Sequence, residues 1–195
     1  MSIENFIISN LEDQVKTINE LKKSKDVIEK IYLEIKNAQS NNKKIFIMGN
    51  GGSASTSSHF VSDLLKTSLT KEAKRTKAIS LTDNIPVLMA WGNDTSFEEI
   101  FSSQLENFLE KGDIVIGISG SGNSENVIKA IEFANLKEAK TICLLGKDGG
   151  KLAKISQLNL IIPNNDMLTI ETMHLLICHL VTSLLRSQGT PLFSY

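Results

Sequence analysis

The chain has 195 residues, 41% hydrophobic and 22% charged, which suits one core-bearing domain with an added helical element. A net charge of -1, from 21 Lys+Arg against 22 Asp+Glu, carries no polyanion signature and argues against nucleic acid as a partner. The longest strongly apolar stretch, Leu175 to Leu185, contains Cys178, His179, Thr182 and Ser183 and is too short for a bilayer span, and the N-terminus lacks the pattern of a signal peptide.

Residues 1–40 contain no glycine or proline. Ile7, Leu11, Val15, Ile18 and Leu21, then Val27, Ile31, Leu33 and Ile35, recur at helical spacing. They predict two amphipathic helices, or one broken near Lys22–Lys25. From residue 41 to 195 the pattern changes to apolar runs, at Ile45–Met48, Ala78–Leu81, Ile114–Ile118, Thr141–Leu145 and Leu158–Ile162. Helical segments are expected at Ser53–Thr67, Ile85–Ala90, Phe97–Leu109, Ser124–Leu136 and Leu168–Arg186. Strands apolar on both faces and separated by helices indicate a parallel sheet covered on both sides. The expected architecture is a doubly wound α/β domain with an N-terminal helical extension. Beyond Arg186, Gln188-Gly189-Thr190-Pro191 breaks the last helix, leaving Phe193 and Tyr195 free to pack on a neighbouring subunit.

Nine of the twelve glycines sit in or beside three of the strand ends. Ligands of open parallel sheets bind beyond the carboxyl ends of the strands, so these glycines mark the working edge. Ser119-Gly120-Ser121-Gly122-Asn123-Ser124 follows a buried strand and opens a helix. Its backbone amides and hydroxyls suit a phosphate without any basic side chain, and Ser124 is the expected N-cap. Gly49-Asn50-Gly51-Gly52-Ser53-Ala54 matches a dinucleotide fingerprint. The acid that should end the second strand is misplaced, because Glu72 comes too early and Asp83 too late.

Histidine is scarce: His59, His174 and His179 are the only three. His59 and Asp63 share one helix face at i, i+4. On the last helix Glu171 and His179 lie about 80° apart, whereas His174 and His179 lie about 140° apart and cannot share a small site. Glu171 with His179, opposite His59 with Asp63, makes a donor set suited to zinc or another divalent ion. Surface pairing and core packing explain the same residues equally well at this level.

The ordered set of Gly49–Ser53, His59, Gly92-Asn93-Asp94 with Phe97, Ser119–Ser124 and Gly146-Lys147-Asp148-Gly149-Gly150 resembles the sugar isomerase (SIS) superfamily, most closely the phosphoheptose isomerases. The resemblance implies a flavodoxin-like, five-stranded parallel sheet, with residues 1–40 as oligomerisation helices and 41–195 as the SIS domain. It further implies a cytoplasmic homotetramer with one zinc per subunit, a sugar phosphate as ligand, and neither membrane nor nucleic acid. Zinc ligands map onto His59, Asp63, Glu171 and His179. Substrate contacts map onto Asn50, Gly51, Gly52, Ser53, Asp63, Asn93, Asp94, Ser119, Gly120, Ser121, Ser124 and Glu171. The implied reaction interconverts sedoheptulose 7-phosphate and D-glycero-D-manno-heptose 7-phosphate, supplying heptose for lipopolysaccharide or capsule. Asp63 and His179 would be its acid/base pair. Four positions depart from the family pattern. Asp63 replaces glutamate, about 1.5 Å longer in reach, Glu171 replaces glutamine, Thr56 replaces aspartate, and Thr67 replaces a basic residue. Such departures also fit an isomerase of another sugar phosphate. They equally fit a non-catalytic SIS protein that binds a sugar phosphate or a protein partner, as the superfamily's replication-initiation regulator does.

Overall fold

A computed structural model describes residues 2–194, so the expected packing of Tyr195 lies outside the described residues. Helix α1 spans Ile3–Leu21, capped by Ser2, whose hydroxyl accepts from the Asn5 amide at 3.2 Å. A single 3-10 turn at Lys22–Ser24 separates it from α2, Lys25–Ser40. The break therefore falls where the charge cluster predicts it. Leu33 departs from the expected apolar stripe and is exposed, while Ile28, Ile31, Tyr32 and Ile35 face the core.

Five strands follow: β1 Lys44–Gly49, β2 Lys77–Ser80, β3 Ile114–Ser119, β4 Lys140–Gly146 and β5 Leu158–Ile162. All pairs are parallel, in the order β2-β1-β3-β4-β5. This is the flavodoxin-like arrangement, and its switch point lies between β1 and β3. Alternate side chains feed two cores, as the pleat requires. Ile45, Ile47, Ile116 and Leu144 pack under α2, α3 (Gly52–Ser62) and α8 (Met167–Arg186). Phe46, Met48, Val115 and Leu145 pack under α5 (Ser102–Phe108), α6 (Glu125–Leu136) and the short α7 (Leu152–Ile155).

Three helical expectations change in detail. The segment after α3 continues as a π-helical turn, Asp63–Thr67, in which the Ser68 amide reaches back five residues to the Asp63 carbonyl at 2.9 Å. The helix expected over Phe97–Leu109 is a 3-10 turn at Phe97–Glu99 followed by α5, and α4 runs from Ile85 to Asp94, beyond the expected end at Ala90. The apolar stretch judged too short for a membrane lies within α8, whose 20 residues have a mean hydropathy of 1.5 over the best window, enough by length and composition to span. Half of that window is buried, with Ile170, Met173, Ile177 and Val181 packed inside the domain, so α8 is a core helix.

Candidate active site

The site is assembled at the carboxyl edge of the sheet from α3, α4, α8 and the loop after β3. Gly51 turns the chain out of β1 with φ +56°, a conformation that costs glycine nothing and other residues strain. The Ser53 and Ala54 amides close on the Asn50 and Gly51 carbonyls, each at 3.0 Å, and α3 begins. Asn50 and Gly51 line a cleft of about 540 Å³ together with Gly49, Ala54, Thr82, Leu88, Asn93 and Phe101. Asn93 reaches the cleft from the end of α4. Its neighbour Asp94, whose carboxylate accepts from Asn93 Nδ2 at 2.8 Å, is not among the lining residues. Ser53 points inward and is 5% exposed, so its side chain serves the packing of α3 on β1 rather than the cleft.

One step along the sheet, three hydroxyls converge. Ser119 Oγ lies 3.1 Å from Ser124 Oγ and 3.5 Å from Ser121 Oγ. Ser124 occupies the N-cap of α6 as expected, but its hydroxyl makes no capping bond; it turns toward Ser119 instead. The Glu125 and Asn126 amides precede the first helical acceptor, so the start of α6 presents donors and partial positive charge beside these hydroxyls. Such an arrangement could take an anion without lysine or arginine. Gly120 lies beneath Met167, whose sulfur would stand 2.3 Å from a Cβ there, so any larger residue would make the Met167 side chain turn aside.

The second focus joins α3 to α8. His59 Nε2 and His179 Nε2 stand 3.0 Å apart, and Asp63 Oδ2 is 3.7 Å from each. Asp63 is 8% exposed, and its Oδ2 has no hydrogen-bond partner among the described residues. A buried carboxylate oxygen without a partner is costly. Donor spacings of this size match those around a tetrahedral zinc ion, about 3.3 Å for bonds near 2 Å. Two imidazoles and a carboxylate therefore fit a divalent ion, and their donor atoms lie within 4.8 Å of one another. Glu171 stands apart from this trio. Its carboxylate reaches from α8 to lie against Gly52, at the start of α3, so three of the four expected ligands are brought together and the fourth is not.

His174 points the other way. It is fully buried, with Nε2 3.0 Å from the Leu145 carbonyl, and burial pushes its pKa down to about 4. It is a neutral packing residue that ties α8 to β4. Cys178, beside His179, is also buried, and burial with the nearby Asp63 charge pushes its thiol pKa up, which keeps it protonated and out of the donor set. Thr56 is buried within α3. Thr67 ends the π-turn, and its carbonyl accepts from Arg186 Nη1 at 3.3 Å.

Sequence reading missed Asn126. Its side chain and that of Asn50 exchange two hydrogen bonds of 2.9 Å, joining the loop after β1 to α6. The only local signal was an asparagine in the first turn of a helix, which normally reads as a capping contact.

A hydroxyl-and-amide loop that could take an anion and a three-donor cluster that could hold a metal, at the carboxyl edge of a 2-1-3-4-5 sheet, are features of a SIS domain. The SIS domain family model matches residues 10–146. A probable phosphoheptose isomerase of Thermoplasma volcanium is 38% identical over 93% of each chain. The phosphoheptose isomerase of Helicobacter pylori strain 26695 is 47% identical over 72% of this chain and 73% of its own. The solved phosphoheptose isomerase of Neisseria gonorrhoeae superposes with a TM-score of 0.88 at 29% identity, covering 95% of this chain and all of that one. The chain belongs to the phosphoheptose isomerase family, a family of aldose–ketose isomerases.

Proposed function

We propose that this chain interconverts sedoheptulose 7-phosphate and D-glycero-D-manno-heptose 7-phosphate. The observation that carries the reading is the pairing, across one switch point, of a hydroxyl-and-amide anion loop with a partnerless carboxylate between two imidazoles. The anion loop of Ser119, Ser121 and Ser124 would take the phosphate, and that remote binding energy would orient the reacting end of the sugar. Aldose–ketose isomerisation moves a proton between C1 and C2 through an enediol, which requires an acid/base pair in place at both carbons. Asp63, whose buried Oδ2 is free to accept, and His179, exposed on α8, would supply that pair.

His59, Asp63 and His179 would hold zinc or another divalent ion, with Glu171 of α8, now against Gly52, as a candidate fourth ligand. When bound, such an ion polarises a carbonyl and steadies the sugar oxygens. A homotetramer is proposed from α1, whose Ile3, Ile7, Leu11 and Val15 are 81%, 52%, 57% and 58% exposed, an apolar face that calls for a second subunit. Two free, buried cysteines suit the cytoplasm, where the heptose product would feed lipopolysaccharide or capsule.

The test is to incubate the purified protein with sedoheptulose 7-phosphate, with and without added zinc, and follow aldose formation by NMR. Turnover to the heptose supports the reading. No turnover under any metal condition overturns it.

A further inference from the structure

Asn126 is 2% exposed, and its Oδ1 accepts the Val127 backbone amide at 2.9 Å. A backbone N–H can only donate, so this contact fixes which end of the Asn126 amide is oxygen. The fixed amide then meets Asn50 in a reciprocal pair: Asn50 Nδ2 donates to Asn126 Oδ1, and Asn126 Nδ2 donates to Asn50 Oδ1, each at 2.9 Å. The orientation of Asn50 is thereby dictated from the backbone of α6. Asn50 keeps one N–H and one oxygen lone pair for other partners, and it is half-buried at the cleft wall.

We propose that Asn126 is a positioning residue that presets the spare donor and acceptor of Asn50 for the reacting end of the sugar. A carbonyl beside a hydroxyl is the group common to ketose and aldose at C1 and C2. It asks for one donor and one acceptor side by side, which a carboxamide held in one orientation provides. A freely rotating Asn50 would present the wrong pair half of the time. The pair also spans β1 and β3, so the anion loop and the reacting end are set at a fixed separation. This inference rests on the isomerase reading of the cleft.

The test compares Asn126→Leu, Asn126→Asp, Asn50→Ala and the Asn50→Ala/Asn126→Leu double variant. Asn126→Leu is expected to lower kcat about ten- to a hundredfold, the range that follows from sub-ångström to ångström misplacement. KM should move less, and the dissociation constant of inorganic phosphate should stay within about twofold, the spread of independent sites. The double variant should lose no more than Asn50→Ala alone, because Asn126 acts through Asn50. Asn126→Asp keeps the Val127 contact but turns an acceptor on Asn50 Oδ1; it should lose kcat like the leucine variant, and serves in its place should that one not fold. Losses that multiply in the double variant, or phosphate binding that falls in step with kcat, would overturn the proposal. Side-chain amide exchange of Asn50, read by NMR, separates this from the substrate reading. Slow exchange in the wild type, lost in Asn126→Leu, which removes the acceptor of the Asn50 N–H, supports the positioning role even where sedoheptulose 7-phosphate is not turned over. Fast exchange in the wild type refutes it.

Discussion

Gly52→Ala separates the role of Glu171 from the stability of the fold. A Cβ at residue 52 would stand 2.3 Å from Glu171 Oε2, 2.6 Å from its Cδ and 2.8 Å from Oε1. Ordinary contact begins about 1 Å farther out, and the atoms in the way are the far end of a rotatable side chain. Glu171 will therefore swing aside by about 1 Å or more rather than push the helix. The stability ledger is nearly neutral. Alanine gains at most about 1 kcal/mol over glycine in a helix, and moving the carboxylate off the α3 start forfeits about 0.3–1 kcal/mol of dipole attraction. Melting should stay within about 3 °C for a chain of this size. Activity should behave differently, because 1 Å of misplacement costs about a hundredfold, or about 2.7 kcal/mol of barrier. The assay is kcat/KM on sedoheptulose 7-phosphate alongside calorimetric melting, repeated in a Glu171→Ala background. There the alanine at 52 should cost little more. Full activity in Gly52→Ala, or an equal further loss in the Glu171→Ala background, would refute the reasoning.

Two other expectations follow from the same side chains. His59→Ala removes one of three donors, so divalent-ion content, near one per subunit in the zinc-loaded wild type, should fall below about a tenth after dialysis; elemental analysis showing unchanged content would dismiss the trio as the metal centre. His174 has a folded pKa near 4, below its unfolded value near 6.5. Its contribution is thus complete above pH 6.5 and lost as pH falls toward 4, since the unfolded chain takes up the proton first. Between pH 7 and 5 the wild type should lose about 2 kcal/mol more than His174→Leu in urea unfolding, and parallel losses in the two proteins would remove His174 as the source.

Much of this architecture follows from local pattern. Each of the five apolar runs became a strand; the central β1, β3 and β4 are buried on both faces, whereas the edge strand β2 leaves Ile79 exposed. The rotation of 100° per residue separated His174 from His179, and they indeed diverge, one to the Leu145 carbonyl and the other to His59. Serine density beside glycine marked the loop where three hydroxyls converge. Other features depend on which distant segments the strand order brings together. Asn50 and Asn126 meet only because β1 lies beside β3. His59 and His179, 120 residues apart, meet because α8 crosses α3. The π-turn at Asp63, the turning of the Ser124 hydroxyl away from its cap, and the seating of Glu171 on Gly52 are likewise responses to neighbours across the fold. Short-range periodicity records which face of an element is apolar, and so determines strands, helices and the working edge. The meeting of donor atoms within a few ångströms is set by long-range packing, which no local spacing encodes.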